Sequence, residues 1–294
     1  MSVNVTGSSE TTARGSAPAP GAERAKREGN VLLQLFCKRL QDYYKRNSAS
    51  LFFRAPLAIR VEAPVISFTF DDFPRSALHT GGTILRRYGV VGTYYAALSL
   101  LGKEGPSGPC FVSDDLKVLL GQGHELGCHT FSHCHSWNTE PRIFEDSVIR
   151  NRTALKTLMP GVEFKSFSYP ISTPRPVTKR IVAKYFECCR CGGQTVNLGT
   201  ADLNQLAGFF LEKSGGSIEA VKDLVDLNQR ARGWLIFATH DVCRGPSQFG
   251  CTPDYFERVV QYAVSSGARI LPVNAALEAL KESAVLATRT FWKA

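Results

Sequence analysis

The chain has 294 residues, 44% hydrophobic and 21% charged, enough for one domain with a substantial core. Its formal net charge of +9 is unevenly placed: up to Arg60 there are ten Lys or Arg against four Asp or Glu, so +6 lies there and +3 in everything after. A weakly basic body with no RNA- or DNA-binding signature excludes nucleic acid as a partner, and leaves the basic N-terminal segment as a solvated tail or a weak contact with an anionic surface.

Residues 1–30 hold Ser, Thr, Gly, Ala, Pro and charges without an apolar stretch, so a disordered tail is expected there. No secretory signal is visible in it, which points to a cytoplasmic protein. Val31 to Tyr44 reads as an amphipathic helix carrying Lys38 and Arg39, followed by Lys45 and Arg46. It is too short to span a membrane; a packing arm is favoured over a membrane-surface contact, and residues 31–60 form an arm and linker. Strand-like runs follow at Val65–Phe70, Val91–Ala96, Glu125–Cys128, Lys165–Tyr169, Phe186–Cys189, Trp234–Thr239 and Ala268–Val273. Helical patterns separate most of them: Ala77–Tyr88, Asp114–Gly121, Ile143–Leu158, Val177–Tyr185, Ile218–Arg232 and Pro253–Ser266. This alternation predicts parallel βαβ units over residues 61–284, with 285–294 as a C-terminal tail. About seven repeats favour an α/β fold closed as an incomplete or distorted barrel over a doubly wound open sheet.

Three of these runs end in groups that carry chemistry: Phe70-Asp71-Asp72-Phe73, His129-Thr130-Phe131-Ser132-His133 and Ala238-Thr239-His240-Asp241. On a strand, Asp71 and Asp72 point to opposite sides unless the chain turns, and Pro74 favours a turn just after them. Two His four residues apart share one face if the segment has a helical turn. Imidazoles with a carboxylate suit zinc, with cobalt, nickel or manganese also accommodated. One Asp would bind the metal and its neighbour would serve as base. The C-terminal ends of strands are where a parallel barrel gathers its functional groups.

Thr69-Phe70-Asp71-Asp72 and His129-Thr130-Phe131-Ser132-His133 resemble the first two motifs of the NodB-type polysaccharide deacetylases, carbohydrate esterase family 4. The resemblance implies a distorted (β/α)7 barrel, with Asp71 as base, Asp72, His129 and His133 as metal ligands, and His240 as the acid that protonates the leaving amine. It further implies an N-acetylated carbohydrate substrate, chitooligosaccharide-like, from which acetate is released. Two motifs depart from the family. Ser168, in Phe167-Ser168-Tyr169-Pro170, stands where an Arg usually steadies the base, and Arg175 is the candidate to replace it. Asp202 is the candidate for the carboxylate that orients His240. Tyr169 is a candidate donor to the developing oxyanion, and Trp137 a candidate platform for a sugar ring.

Nine Cys without an export signal read as reduced thiols, and the Cys188, Cys189 and Cys191 group as buried thiols at a strand end, in preference to a metal site. Cys128, Cys134 and His135 lie beside the His pair as possible competitors for the metal. Two other functions fit the same residues: hydrolysis of a different non-peptide carbon-nitrogen bond in a small molecule, such as a cyclic ureide, and non-catalytic carbohydrate binding. Intact Asp71 and His240 argue against the second.

Overall fold

A computed structural model describes residues 20–59, 61–171 and 173–291, with side chains placed for most of residues 33–284. In chain order the elements are α1 (Pro20–Leu51), β1 (Pro56–Ala58), β2 (Val65–Phe70), α2 (Thr83–Arg87), β3 (Thr93–Ala96), β4 (Glu104–Gly105), β5 (Gly108–Pro109), α3 (Ser113–Gly121), β6 (Glu125–Cys128), α4 (Pro141–Leu158), β7 (Ser166–Ser168) and α5 (Pro176–Val182). They continue with β8 (Cys188–Cys191), β9 (Thr200–Asp202), β10 (Leu206–Ala207), β11 (Phe209–Phe210), α6 (Ile218–Ala231), β12 (Trp234–Thr239), α7 (Pro253–Ser265), β13 (Arg269–Ile270) and α8 (Val273–Phe291). The described residues divide into two units after Tyr44, and among them the second unit holds every strand.

Eight parallel strands run in the order β10, β8, β7, β6, β3, β2, β12, β11, and Gly208 alone separates the two edge strands in sequence. The result is a nearly closed barrel, the expected distorted (β/α)7 type. Its longest pairing is β2 with β12, in register from Val65↔Trp234 to Phe70↔Thr239. All twelve of these residues are buried, because helices cover the outer face and side chains fill the inner one. Polar members of this pair are satisfied internally: Trp234 Nε1 donates to Ser67 Oγ at 3.0 Å and Thr69 Oγ1 to the Phe237 carbonyl at 2.8 Å. The lower half of β2 also pairs with β13, and its upper half with β3.

The main core lies between the strands and the surrounding helices, where Phe68, Phe70, Phe237 and Phe256 pack ring against ring. A second cluster, including Val65, Trp234, Ile236, Val273, Leu277 and Leu280, brings α8 together with the N-terminal ends of the strands. Thus the residues after Val273 continue as a helix, and the expected tail 285–294 falls partly in α8, its last three residues lying outside the described ones. Of the expected disordered segment 1–30, residues 1–19 lie outside the described residues and 20–30 begin α1. The predicted helix Ala77–Tyr88 opens as a π-helical turn, Ala77–Gly82, before α2. Helix α6 stops where expected: Arg232 takes the left-handed conformation, and Gly233 follows because the Asn197 carbonyl would lie 2.8 Å from any Cβ there.

Candidate active site

The groups singled out in the sequence converge at the C-terminal end of the barrel. Asp71 and Asp72 follow β2, His129 follows β6, and His240 follows β12. The adjacent carboxylates face one cavity because the chain turns abruptly: Asp72 and Phe73 both adopt the left-handed conformation, at φ 60° and 51°. Thr130, His133 and Ile171 do so as well, and for the β-branched Thr130 and Ile171 this is a costly backbone state. His129 and His133 are brought together by this tight loop instead of a helical turn, with ring centroids 5.1 Å apart. Helix α4 holds the loop in place, since Ser147 Oγ accepts from the backbone N–H groups of Phe131 and Ser132, both at 3.0 Å.

Asp72, His129 and His133 present one donor atom each within 4.8 Å of one another. Asp72 Oδ1 stands 3.6 Å from His129 Nε2 and 3.2 Å from His133 Nε2, and it is buried without a hydrogen-bond partner. His129 Nδ1 lies 2.8 Å from the Ser168 carbonyl, which fixes the proton on that nitrogen and turns the lone pair of Nε2 toward Asp72. Burial pushes the His129 imidazole down to about 4, against the pull of Asp71 and Asp72, so it is neutral. A neutral imidazole facing an orphaned carboxylate oxygen is therefore no ion pair. This donor set fits a divalent cation.

Asp71 is 3% exposed and hydrogen-bonded to a residue that the sequence reading missed. Arg190, from β8, donates through Nη2 to both Asp71 Oδ1 and Ser168 Oγ, and Ser168 Oγ lies 3.3 Å from the same carboxylate oxygen. Burial alone would raise the Asp71 carboxyl, but the Arg190 guanidinium, with His129 and His240 behind it, outweighs burial and holds it at about 2. The expected reach of Arg175 is thus corrected. Arg175 instead caps α5, its N–H donating to Thr178 Oγ1 at 3.1 Å. The signal for Arg190 was present in Cys188-Cys189-Arg190-Cys191: one charge within an apolar run, which a buried strand tolerates only opposite a carboxylate.

Asp202 is likewise placed elsewhere. Its carboxylate takes Lys179 Nζ at 2.5 Å and the Ala55 N–H at 2.9 Å. His240 is oriented by a backbone carbonyl: Phe249 O lies 3.2 Å from both His240 N and Nδ1, leaving Nε2 for the cavity. Asp241 shapes the loop that carries Phe249, accepting from Ser247 N at 2.8 Å and Ser247 Oγ at 2.6 Å. A second missed residue, Glu212, lines the cavity near His240; one of its oxygens is buried without a partner, and burial raises its carboxyl. It follows the apolar run Phe209-Phe210-Leu211, the same signature that marked Asp71.

The cavity holds about 880 Å³ and is walled by Asp71, Asp72, His129, His133, His240 and Glu212 together with Phe210, Phe249, Ile171 and Pro174. Neither Tyr169 nor Trp137 belongs to this lining. The Tyr169 hydroxyl donates to the Asn204 carbonyl at 2.9 Å and its N–H to the Arg190 carbonyl at 3.0 Å, so neither donor is spare for an oxyanion. Trp137 Nε1 donates to the carbonyl of Pro174, a lining residue, at 3.2 Å. All nine cysteines are free thiols; Cys188, Cys189 and Cys191 are buried in β8, where burial pushes Cys191 up to about 12. Asn151 Nδ2 contacts Cys128 Sγ at 3.2 Å, and neither Cys128 nor Cys134 joins the three-donor cluster.

A parallel barrel with an Asp-His-His cluster and a buried Asp–Arg pair at its strand ends carries the residue types of a hydrolytic site. Residues 58–186 match the polysaccharide deacetylase family. The matched segment ends before Arg190, Glu212 and His240. Among curated proteins, a gellan lyase from Bacillus sp is 25% identical over 210 residues; the match covers 64% of this chain and only 8% of that protein. The fold is shared with the Xyl-CE4 domain of a multidomain xylanase from the hindgut metagenome of Trinervitermes trinervoides, at 20% identity and a TM-score of 0.52 over 74% of this chain and 91% of that one. It is shared also with a peptidoglycan deacetylase from Bacillus subtilis, at 16% identity and a TM-score of 0.53 over 79% and 98%. A family 4 pseudoenzyme from Bacillus anthracis matches at 10% identity and a TM-score of 0.51 over 75% and 66%.

Proposed function

We propose that this protein is a metal-dependent hydrolase that removes N-acetyl groups from amino sugars of an oligo- or polysaccharide, releasing acetate. The observation that carries the reading is the buried Asp71 carboxylate, held by Arg190, beside the Asp72, His129 and His133 donor cluster. Those three residues would hold the cation, zinc first, with cobalt, nickel or manganese fitting the same donors. Bound there, the cation would supply Lewis-acid polarisation of the amide and acidify water. Asp71, ionised throughout the working range because Arg190 holds it down, accepts the water's proton. His240 protonates the departing amine from Nε2, its ring fixed by the Phe249 carbonyl and flanked by the rings of Phe210 and Phe249. Arg190 positions the base and balances its charge.

The test is acetate release from N-acetylglucosamine oligomers by protein stripped with chelator and then restored with zinc or cobalt, beside Asp71→Asn. Release that requires metal and vanishes in the variant is the expected result. No release from protein that has bound metal stoichiometrically would overturn the reading in favour of another substrate or of binding alone.

A further inference from the structure

The active site accounts for little of the excess positive charge, which is concentrated ahead of the barrel. Within α1, seven Lys or Arg stand against three Asp or Glu. The same helix exposes its largest apolar side chains: Leu33, Phe36, Leu40, Tyr43 and Tyr44 are each 52 to 66% exposed, and Cys37 is exposed beside them. At 100° per residue these positions fall on one stripe about 120° wide. Lys38 lies on one flank of that stripe and Arg39 on the other, both exposed, and Lys45 and Arg46 repeat those two helical positions seven residues on. Among the exposed large apolar residues described in α1, Leu35 falls outside the stripe.

We infer that α1 is a membrane-surface helix that lies in the headgroup plane of an anionic bilayer. An apolar stripe bordered on both sides by long basic side chains suits such a plane, since the stems lie along the acyl boundary while the charges stay with the phosphates. Two aromatic residues with polar tips, Tyr43 and Tyr44, match the interfacial depth. The same layout disfavours a second copy of the chain as the occupant of the stripe. Pairing two such helices would set basic flank against basic flank, where a stable coiled coil places opposite charges. The apolar stripe is also far too short to cross the bilayer, and among the described residues no helix is long and apolar enough to do so.

The experiment is co-sedimentation of the full chain with vesicles of phosphatidylcholine alone and with about 30% phosphatidylserine, followed by the same assay at high salt. The expected result is retention on the anionic vesicles, weakened by salt, with little on the neutral ones. Lys38→Glu with Arg39→Glu should lower partitioning at least about twentyfold, at roughly fivefold per basic residue. Phe36→Glu with Leu40→Glu should abolish it, and an unchanged far-ultraviolet spectrum and unfolding midpoint would show that the barrel is intact. Absence of binding to anionic vesicles, equal binding to neutral ones, or binding indifferent to Phe36→Glu with Leu40→Glu would overturn the inference. So would a dimer in sedimentation velocity that the same double variant dissociates, which would assign the stripe to a second copy.

Discussion

Arg190 and Asp71 lie 119 positions apart in sequence and meet inside the barrel, the guanidinium Nη2 donating to the carboxylate Oδ1 while also reaching Ser168 Oγ. The arginine comes from β8, the strand beside β7, and the small Ser168 of β7 accepts from the same nitrogen. A charge supplied from the neighbouring strand can therefore serve the same carboxylate.

Removing the guanidinium should be costly in two measurable ways. Arg190→Met leaves Asp71 buried without its largest favourable partner, and breaking such a pair typically costs about 3 to 5 kcal/mol. The carboxyl should then titrate upward. In the parent, the stability lent by Asp71 is present above its unfolded pKa of 3.8 and lost as pH falls through about 2. In Arg190→Met that loss should begin at higher pH, and the acid limb of any deacetylase profile should move with it. Urea unfolding between pH 3 and 7 checks the first effect; an unmoved acid limb would deny Arg190 its positioning role.

Glu125 offers a pH effect of opposite sign at the other end of the barrel. Its carboxylate takes the Asn274 N–H at the start of α8, at 2.8 and 3.1 Å, yet burial outweighs those bonds and raises it from 4.5 to about 7. A carboxyl raised on folding favours the protonated native state, so stability is highest below the unfolded pKa and falls as pH rises through about 7. The loss amounts to roughly 3 kcal/mol at 1.36 kcal/mol per pKa unit. Glu125→Gln should flatten the fall in unfolding free energy between pH 5 and 8 relative to the parent. Parallel curves for the two proteins would refute the assignment.

Metal binding should stabilise the fold by mass action. At free zinc about one hundred times the dissociation constant the gain is about 2.7 kcal/mol, read as a rise in the thermal midpoint over the chelated protein. Asp72→Ala and His129→Ala each remove one donor of the cluster and should abolish most of that rise. A full rise in both variants would place the metal elsewhere.

The loop that orients His240 can be tested by a single methyl group. A Cβ on Gly250 would lie 2.3 Å from Asp241 Oδ1 and 2.5 Å from the Asp241 carbonyl, so Gly250→Ala must displace the turn and with it the Phe249 carbonyl. The expected cost is about 1 to 3 kcal/mol in stability. A fall in kcat of roughly tenfold or more should accompany it as acid catalysis is lost. Gly245→Ala, in the same loop but with nothing within 4 Å of its Cβ, should leave both unchanged. Equal kcat in the two variants would separate the loop from the acid.

Much of the fold was legible because burial imposes local patterns: β2, β6 and β12 run from Val65 to Phe70, Glu125 to Cys128 and Trp234 to Thr239, the bounds expected from their apolar runs. The convergence of Asp72, His129 and His133 was legible for the same reason, since they sit just past such runs, where a parallel barrel exposes its strand ends. The two-residue strands β10 and β11 were not, because segments so short carry no period; they form only where the barrel edges already approach each other. The partners of the site residues belong to that second kind. Likeness to the family's motifs put Arg175 near Asp71 and Asp202 near His240, but side-chain pairing depends on which strands lie side by side. Strand order gave Asp71 to Arg190, and packing of the loop after β12 gave His240 to a backbone carbonyl that has no sequence signature at all. Sequence by itself determined the barrel and the residues that gather at its strand ends; the closure of the sheet, a long-range event, decided what holds Asp71 and His240 in place.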